Sequence, residues 1–281
     1  MDPPAIRRLS GDRLHLSHGP IDVVLRAWGA AAAVRAAEAS VVAAFPDILP
    51  GLAAELPALR RPMAESPRVT HPVARRMVAA CARFAPIFVT PMAAVAGAVA
   101  DALLAEMLRA APLARAYVND GGDIALHVAP GELLAIGLAA DPARLALDGA
   151  LHVTAGSGIG GVATSGRFGR SLSLGIADAV TVLARDAATA DAAATLIANA
   201  VDIDSAGVRR APARSLDPDS DLGDRLVTVA VDGLMPAELA AALDAGLALA
   251  EAFRADGRIL GAALRLGDGL RVTGLPAPPP P

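Results

Sequence analysis

Residues 160–201 read GGVATSGRFGRSLSLGIADAVTVLARDAATADAAATLIANAV, and this stretch decides the fold. Residues 179–184, AVTVLA, are a short apolar run with β-branched members, the pattern of a buried strand. From about residue 189 to residue 200 alanines alternate with Leu196 and Ile197, which reads as helix. Asp191 and Thr195 stand four apart at the start of that helix, so both oxygens face the same way. A carboxylate and a hydroxyl beside a helix N-terminus can hold a hard divalent cation and the phosphate it carries. The plainer alternative is that Asp191 caps the helix and Thr195 packs on it.

On the N-terminal side, residues 13–28 read as two strands joined by a turn at His18, Gly19 and Pro20. Helices are expected over residues 30–45, 49–59, 72–84 and 91–109, the first half of the last being apolar all round and therefore buried. After Pro112 come short strands at 114–118, 124–128, 132–138 and 151–154, separated by Gly, Asp and Pro turns. Past the opening stretch, a strand at 226–231, a helix at 236–255 and strands at 259–266 and 270–273 complete the chain. Helices and strands come in blocks, which favours an α+β fold with antiparallel sheets packed by helices over a doubly wound one. One domain over residues 1–275 is expected, built as a single unit or as two packed halves with a break near residue 112. Residues 276–281, PAPPPP, are expected to be a loose tail.

Composition narrows the chemistry. The 281 residues are 54% hydrophobic and 19% charged, which suits an ordered globular protein. All basic residues are Arg, so lysine-based covalent catalysis is excluded. A net charge of −4 spread along the chain argues against nucleic acid as a partner. Cys81 is the single cysteine, which excludes an internal disulfide and favours a buried thiol over a nucleophile. The N-terminus lacks the apolar core of a signal peptide, and the apolar run 85–100 contains Thr90 and Pro91 and is short for a bilayer span. A cytoplasmic protein with no membrane partner is expected.

Several motifs are weak. Gly156, Gly158 and Gly161 spell G-x-G-x-x-G, but no helix opens straight after them, as a dinucleotide fingerprint requires. Asp217, Asp219 and Asp221 imitate a calcium loop that lacks its sixth-position Gly and twelfth-position Glu. None of the five histidines has the spacing of a helical zinc pair. Asn119–Asp123, NDGGD, is sharper: its glycines let backbone approach a ligand while carboxylates point into the turn, although an ordinary hairpin has the same letters.

Taken together, four segments resemble the ApbE-like superfamily of FAD:protein FMN transferases, and its uncharacterised UPF0280 branch most closely. PMAAVAGAVAD at 91–101 resembles the superfamily's glycine/alanine helix entry, and NDGGD resembles its N-x-G-G-D turn. ATSG at 163–166 resembles its S-T-S-G loop, and TADAAAT at 189–195 is similar to its A-D-x-x-x-T metal motif. Order and rough spacing agree over about residues 90–201.

The resemblance implies a site that binds FAD with a divalent metal such as Mg²⁺ and transfers FMN to a threonine of a partner, by metal-assisted phosphoryl transfer. It implies Asp191, Thr195 and the carbonyl of Ala94 as metal ligands. Gly121, Gly122 and Asp123 would flank the nucleotide, and Thr164, Ser165, Gly166 and Arg167 would contact the cofactor. The chain departs from the pattern where the transferases carry a histidine motif, for it has SLSLGIAD at 171–178. Asp178, as base or further ligand, and Ser173 are the candidate catalytic side chains there. Two readings follow: a metal-dependent transferase or hydrolase of a flavin nucleotide or other phosphorylated ligand, or a binding protein that has lost the transferase histidine. A small anionic molecule is the expected partner, and a homodimer the candidate assembly. Removing the Asp191 carboxylate is expected to abolish metal-dependent ligand stabilisation and to leave the fold intact.

Overall fold

Alternation builds the first sheet of this computed structural model, which describes residues 3–138 and 149–275. Strand β1 (Ala5–Leu9) precedes β2 (Arg13–His18), β3 (Ile21–Trp28), β4 (Arg115–Asp120) and β5 (Asp123–Val128). Every second residue of β2, β3 and β4 is buried: Leu14, Leu16 and His18; Ile21, Val23, Leu25 and Ala27; Ala116, Val118 and Asp120. The antiparallel register sets Leu16 against Val23 and Leu25 against Val118, so these side chains share one face.

Among the described residues, eight further strands and seven helices complete the order: α1 (Ala31–Ala44), α2 (Ile48–Leu59), α3 (Pro72–Ala82), α4 (Val95–Ala110), β6 (Leu133–Leu138), β7 (Gly149–Thr154), β8 (Gly161–Ser165), β9 (Ala179–Ala184), α5 (Ala187–Ala200), β10 (Val208–Pro212), α6 (Ala213–Leu216), β11 (Leu226–Val231) and α7 (Pro236–Ala255), with β12 (Gly261–Leu266) and β13 (Gly269–Thr273) at the end. The fold is α+β, and the recorded strand registers are antiparallel. The chain divides into two compact units interleaved in sequence, one from residues 3–136, 152–163 and 184–192 and the other from the remaining described residues. In the first, the strand order is β1-β2-β3-β4-β5-β8, and α4 packs against α1, α3, β4 and β5. In the second, β9, β12 and β13 are neighbours, α7 lies on β12 and β13, and β10 pairs with β11.

Helix α4 buries residues 97–101 without a break, then Leu103, Leu104 and Met107. The segments Ala31–Leu59 and Pro91–Ala110 have the length and apolarity to cross a membrane. In α4 that apolarity is used up inside its own unit, as the sequence suggests. Four elements escape the sequence reading: β1, β8, β10 and the four-residue α6. Strand β1 is exposed at three of five positions and shows no alternation; β8 and β10 are five residues each, with glycine or proline and arginine among them. The tail expected at 276–281 lies outside the described residues.

Candidate functional site

The start of α5 is crowded with carboxylates. Asp186 Oδ1 accepts the N–H of Thr189 at 2.7 Å. Asp101, inside α4, accepts from Ala187 through Oδ1 at 3.0 Å and from Ala188 through Oδ2 at 2.9 Å. The N–H of Ala190 goes to the Asp186 carbonyl at 3.2 Å. Ala187, Ala188 and Thr189 are amides of the first turn that have no helical partner, and side chains take all three, while the Ala190 bond is the first of the helix itself. Side chains of the protein itself thus occupy the first amides of α5, and the helix begins two residues earlier than the sequence suggests. Nor does Asp191 cap α5, since it lies beyond the first turn.

Asp191 caps a different helix. Its Oδ2 accepts the N–H of Gly97 at 3.0 Å, and the N–H of Ala96 adds a second bond. These are the second and third residues of α4, whose own N-cap, the buried Ala94, offers no side-chain acceptor. Gly97 makes the approach feasible: a Cβ there would lie 2.3 Å from the carbonyl oxygen of Ala187. Gly161 does the same from β8, where a Cβ would lie 2.3 Å from the nitrogen of Ala187. The last glycine of G-x-G-x-x-G thus serves close strand–helix packing, with no nucleotide required.

Asp191 keeps some exposed surface, yet protein surrounds its carboxyl. Desolvation pushes its pKa well above the ordinary carboxylate range, the charges of Asp123 and then Asp120 push it the same way, and the bonds from Gly97 and Ala96 oppose them. Desolvation followed by the Asp191 charge also drives the buried Cys81 thiol upward, and its Sγ–H donates to the Thr90 carbonyl at 3.4 Å. A thiol held protonated in this way is structural, as its sequence context suggests.

Burial raises Asp101 to about 6 from 3.8; the bonds from Ala188 and Ala187 and the charge of Arg76 pull it down, and Asp186 pushes it up. An acid with a raised folded pKa binds its proton more tightly when folded, so its contribution to stability falls as pH rises between about 4 and 6. We expect chemical denaturation of Asp101→Asn to lose a slope of up to about 3 kcal/mol over that interval relative to the wild type. Asp191 titrates in the same sense in both proteins, so parallel curves would show that Asp101 is not the group responsible.

The NDGGD turn joins β4 to β5, with Asp120 opposite Asp123. Gly121 and Gly122 have φ of 65° and 115°, both left-handed, as a two-residue type I′ hairpin demands. Asn119 Oδ1 accepts the N–H of Gly122 at 2.8 Å, and Asp120 Oδ1 accepts that of Asp22 at 3.2 Å. Nothing lies within 4 Å of a Cβ built at Gly122, so turn conformation accounts for that glycine.

In the second unit, Thr164 and Ser165 belong to a strand rather than a loop. They point to opposite faces: Thr164 Oγ1 lies 2.9 Å from Thr181 Oγ1, and the hydroxyl of Thr195 on α5 lies 3.5 Å from Ser165 Oγ. Ser165 and Thr195 are brought together, and Thr164 is turned away from them. Gly166 (φ 156°) lies against Asp178, whose carbonyl oxygen would be 2.4 Å from a Cβ. Arg167 Nε donates to Asp178 Oδ1 at 2.7 Å, and its guanidinium lies 4.2 Å from the Phe168 ring centre. Asp178 Oδ2 accepts the N–H of Gly267, in the β12–β13 turn, at 2.7 Å. Both oxygens of Asp178 thus hold structure in place, which suits a clamp better than a base. Ser173 is buried and its Oγ has no hydrogen-bond partner among the described residues, while its carbonyl accepts from the Thr228 N–H at 2.9 Å.

Among the described residues, no three His, Cys, Asp or Glu side chains gather as a metal-binding group. The acidic run 217–224 folds on itself, with Asp219 N–H donating to Asp217 Oδ1 at 3.0 Å and Asp224 paired to Arg214. The reciprocal link between α4 and α5 was invisible in the sequence, because its partners are 86 to 94 residues apart.

Comparison with known proteins places this geometry in a family. The family model described as "AbpE bacteria" matches residues 6–272. A UPF0280 protein of Methanothrix thermoacetophila is 42% identical over 135 residues, 48% of this chain and 54% of that protein. One from Methanopyrus kandleri is 36% identical over 149 residues, 52% and 58% of the two chains. The matched stretch spans about half the length of these curated relatives. The crystal structure of Pseudomonas stutzeri flavinyl transferase ApbE in its apo form superposes with a TM-score of 0.40 at 15% identity, covering 96% of this chain and 93% of that one. The chain belongs to the family described as AbpE bacteria, whose model matches nearly all of it.

Proposed function

We propose that this protein binds a flavin nucleotide, or a phosphorylated ligand of similar chemistry, together with a divalent cation such as Mg²⁺. The observation that carries the reading is the Asp191 carboxyl, hemmed in by protein and pressed by the charges of Asp123 and Asp120. A hard cation relieves this repulsion and favours the ionised form. Thr195 follows one helical turn later on α5, and Ala94 begins the helix that Asp191 caps. This donor set of one carboxylate, one hydroxyl and one carbonyl fits Mg²⁺, which commonly takes one or two carboxylates and completes its shell with water and ligand phosphates. When bound, the cation would neutralise pyrophosphate charge.

Gly121, Gly122 and Asp123 are the proposed ligand contacts in the first unit; in the second, Ser165 lies beside Thr195. Arg167 contributes less charge than its type suggests, being paired with Asp178. Asp178 is not proposed as the base: freeing it would sacrifice the Arg167 and Gly267 bonds together. This favours ligand binding over transfer. The proposed setting is the cytoplasm, with a small anion as the partner and neither nucleic acid nor membrane involved.

A thermal-shift titration with FAD, in Mg²⁺ and in EDTA, tests the reading. Ligand at 100 times its Kd should add about 2.7 kcal/mol of stability, and only when metal is present. Equal shifts in Mg²⁺ and EDTA would end the metal assignment. AMP released in the same samples would show that the protein is a catalyst rather than a carrier.

A further inference from the structure

Helices α4 and α5 each lend the other a carboxylate. Asp101, in the second turn of α4, holds the first two amides of α5; Asp191, in the second turn of α5, holds the second and third amides of α4. The exchange closes a ring of bonds around the contact at Gly97, where a Cβ would meet the Ala187 carbonyl at 2.3 Å. We infer that Asp101 is a positioning residue for the cation ligands: by fastening α5 to α4 it sets where the Asp191 carboxyl rests and where that helix presents Thr195. This inference rests on the function proposed above.

The geometry requires Asp at 101. Two convergent amides, at 3.0 and 2.9 Å, need two acceptor oxygens. Asn supplies one, and its NH₂ group would face the other N–H in a buried place where water cannot replace the lost bond. The helix can then regain a partner only by moving. Ligand positions must hold to within about 0.5 Å, and disturbing the groups that orient ligands costs roughly 10–100-fold in metal affinity.

The test uses the full chain with FAD and Mn²⁺ as the probe for Mg²⁺, following free Mn²⁺ by electron paramagnetic resonance and folding by circular dichroism. Wild type should bind Mn²⁺ in the presence of FAD, and folded Asp101→Asn about 10–100-fold more weakly. Glu55→Ala controls for general loss of stability: it removes the acceptor for the Thr70 and His71 N–H groups at the start of α3 and should keep wild-type Mn²⁺ affinity. Gly97→Ala provides a second route, since it displaces α5 without altering a carboxylate, and should weaken Mn²⁺ binding to a similar degree. Wild-type affinity in a folded Asp101→Asn or Gly97→Ala protein overturns the inference while leaving the metal site standing. No Mn²⁺ binding by the wild type overturns the metal site itself, and this inference with it.

Discussion

Asp191→Ala is expected to lower stability in EDTA as well as to abolish the metal-dependent response to FAD, whereas Asp191→Asn should separate the two effects. The alanine variant strips the N-terminus of α4 of the acceptor that Asp191 supplies, and Ala94 offers none in its place. Loss of a cap costs about 0.5–2 kcal/mol. Asn keeps one carbonyl oxygen for the Gly97 amide and removes the charge that Asp123 and Asp120 repel. Without metal it should therefore melt above the alanine variant, and it should still fail to respond to Mg²⁺. This revises the expectation from sequence that alanine would leave the fold intact. An Asn variant with an undiminished metal-dependent shift would remove Asp191 from the ligand set; an Ala variant that melts like wild type in EDTA would show the cap to be dispensable.

Gly161→Ala should be among the most damaging single-methyl additions in the chain. The new Cβ would lie 2.3 Å from the Ala187 nitrogen and the Asp186 carbonyl carbon, and 2.4 Å from the Ala187 Cα. All three are backbone atoms at the entry to α5, so no side chain can swing away. Overpacking of this kind costs about 1–3 kcal/mol or more, and relief requires α5 to move off β8. Gly122→Ala is the matched control: its Cβ would meet nothing within 4 Å, leaving only the strain of φ 115°. Urea midpoints should place Gly161→Ala well below Gly122→Ala. Equal midpoints would mean that the strand–helix approach is looser than these distances indicate.

Much of the architecture was readable because it is periodic. The helix at 236–255 matches α7 end to end, and the strands at 179–184 and 226–231 match β9 and β11. Motif order carried the family, through NDGGD, ATSG and TADAAAT. The candidate site was less legible. Thr164 and Ser165 are neighbours in sequence and read as one loop, but pairing within the sheet makes them a strand and sends their hydroxyls to opposite faces. Asp178 reads as a free base until the β12–β13 turn brings in the Gly267 amide.

By itself, the sequence determined the α+β class, the apolar faces, the family and a list of polar residues with metal-binding chemistry, since each depends on spacing along a single segment. Tertiary structure alone decided which amides each carboxylate serves. Asp191 answers to α4 and Asp101 to α5 because backbone N–H groups are alike in every segment, and only packing chooses the pair that meets.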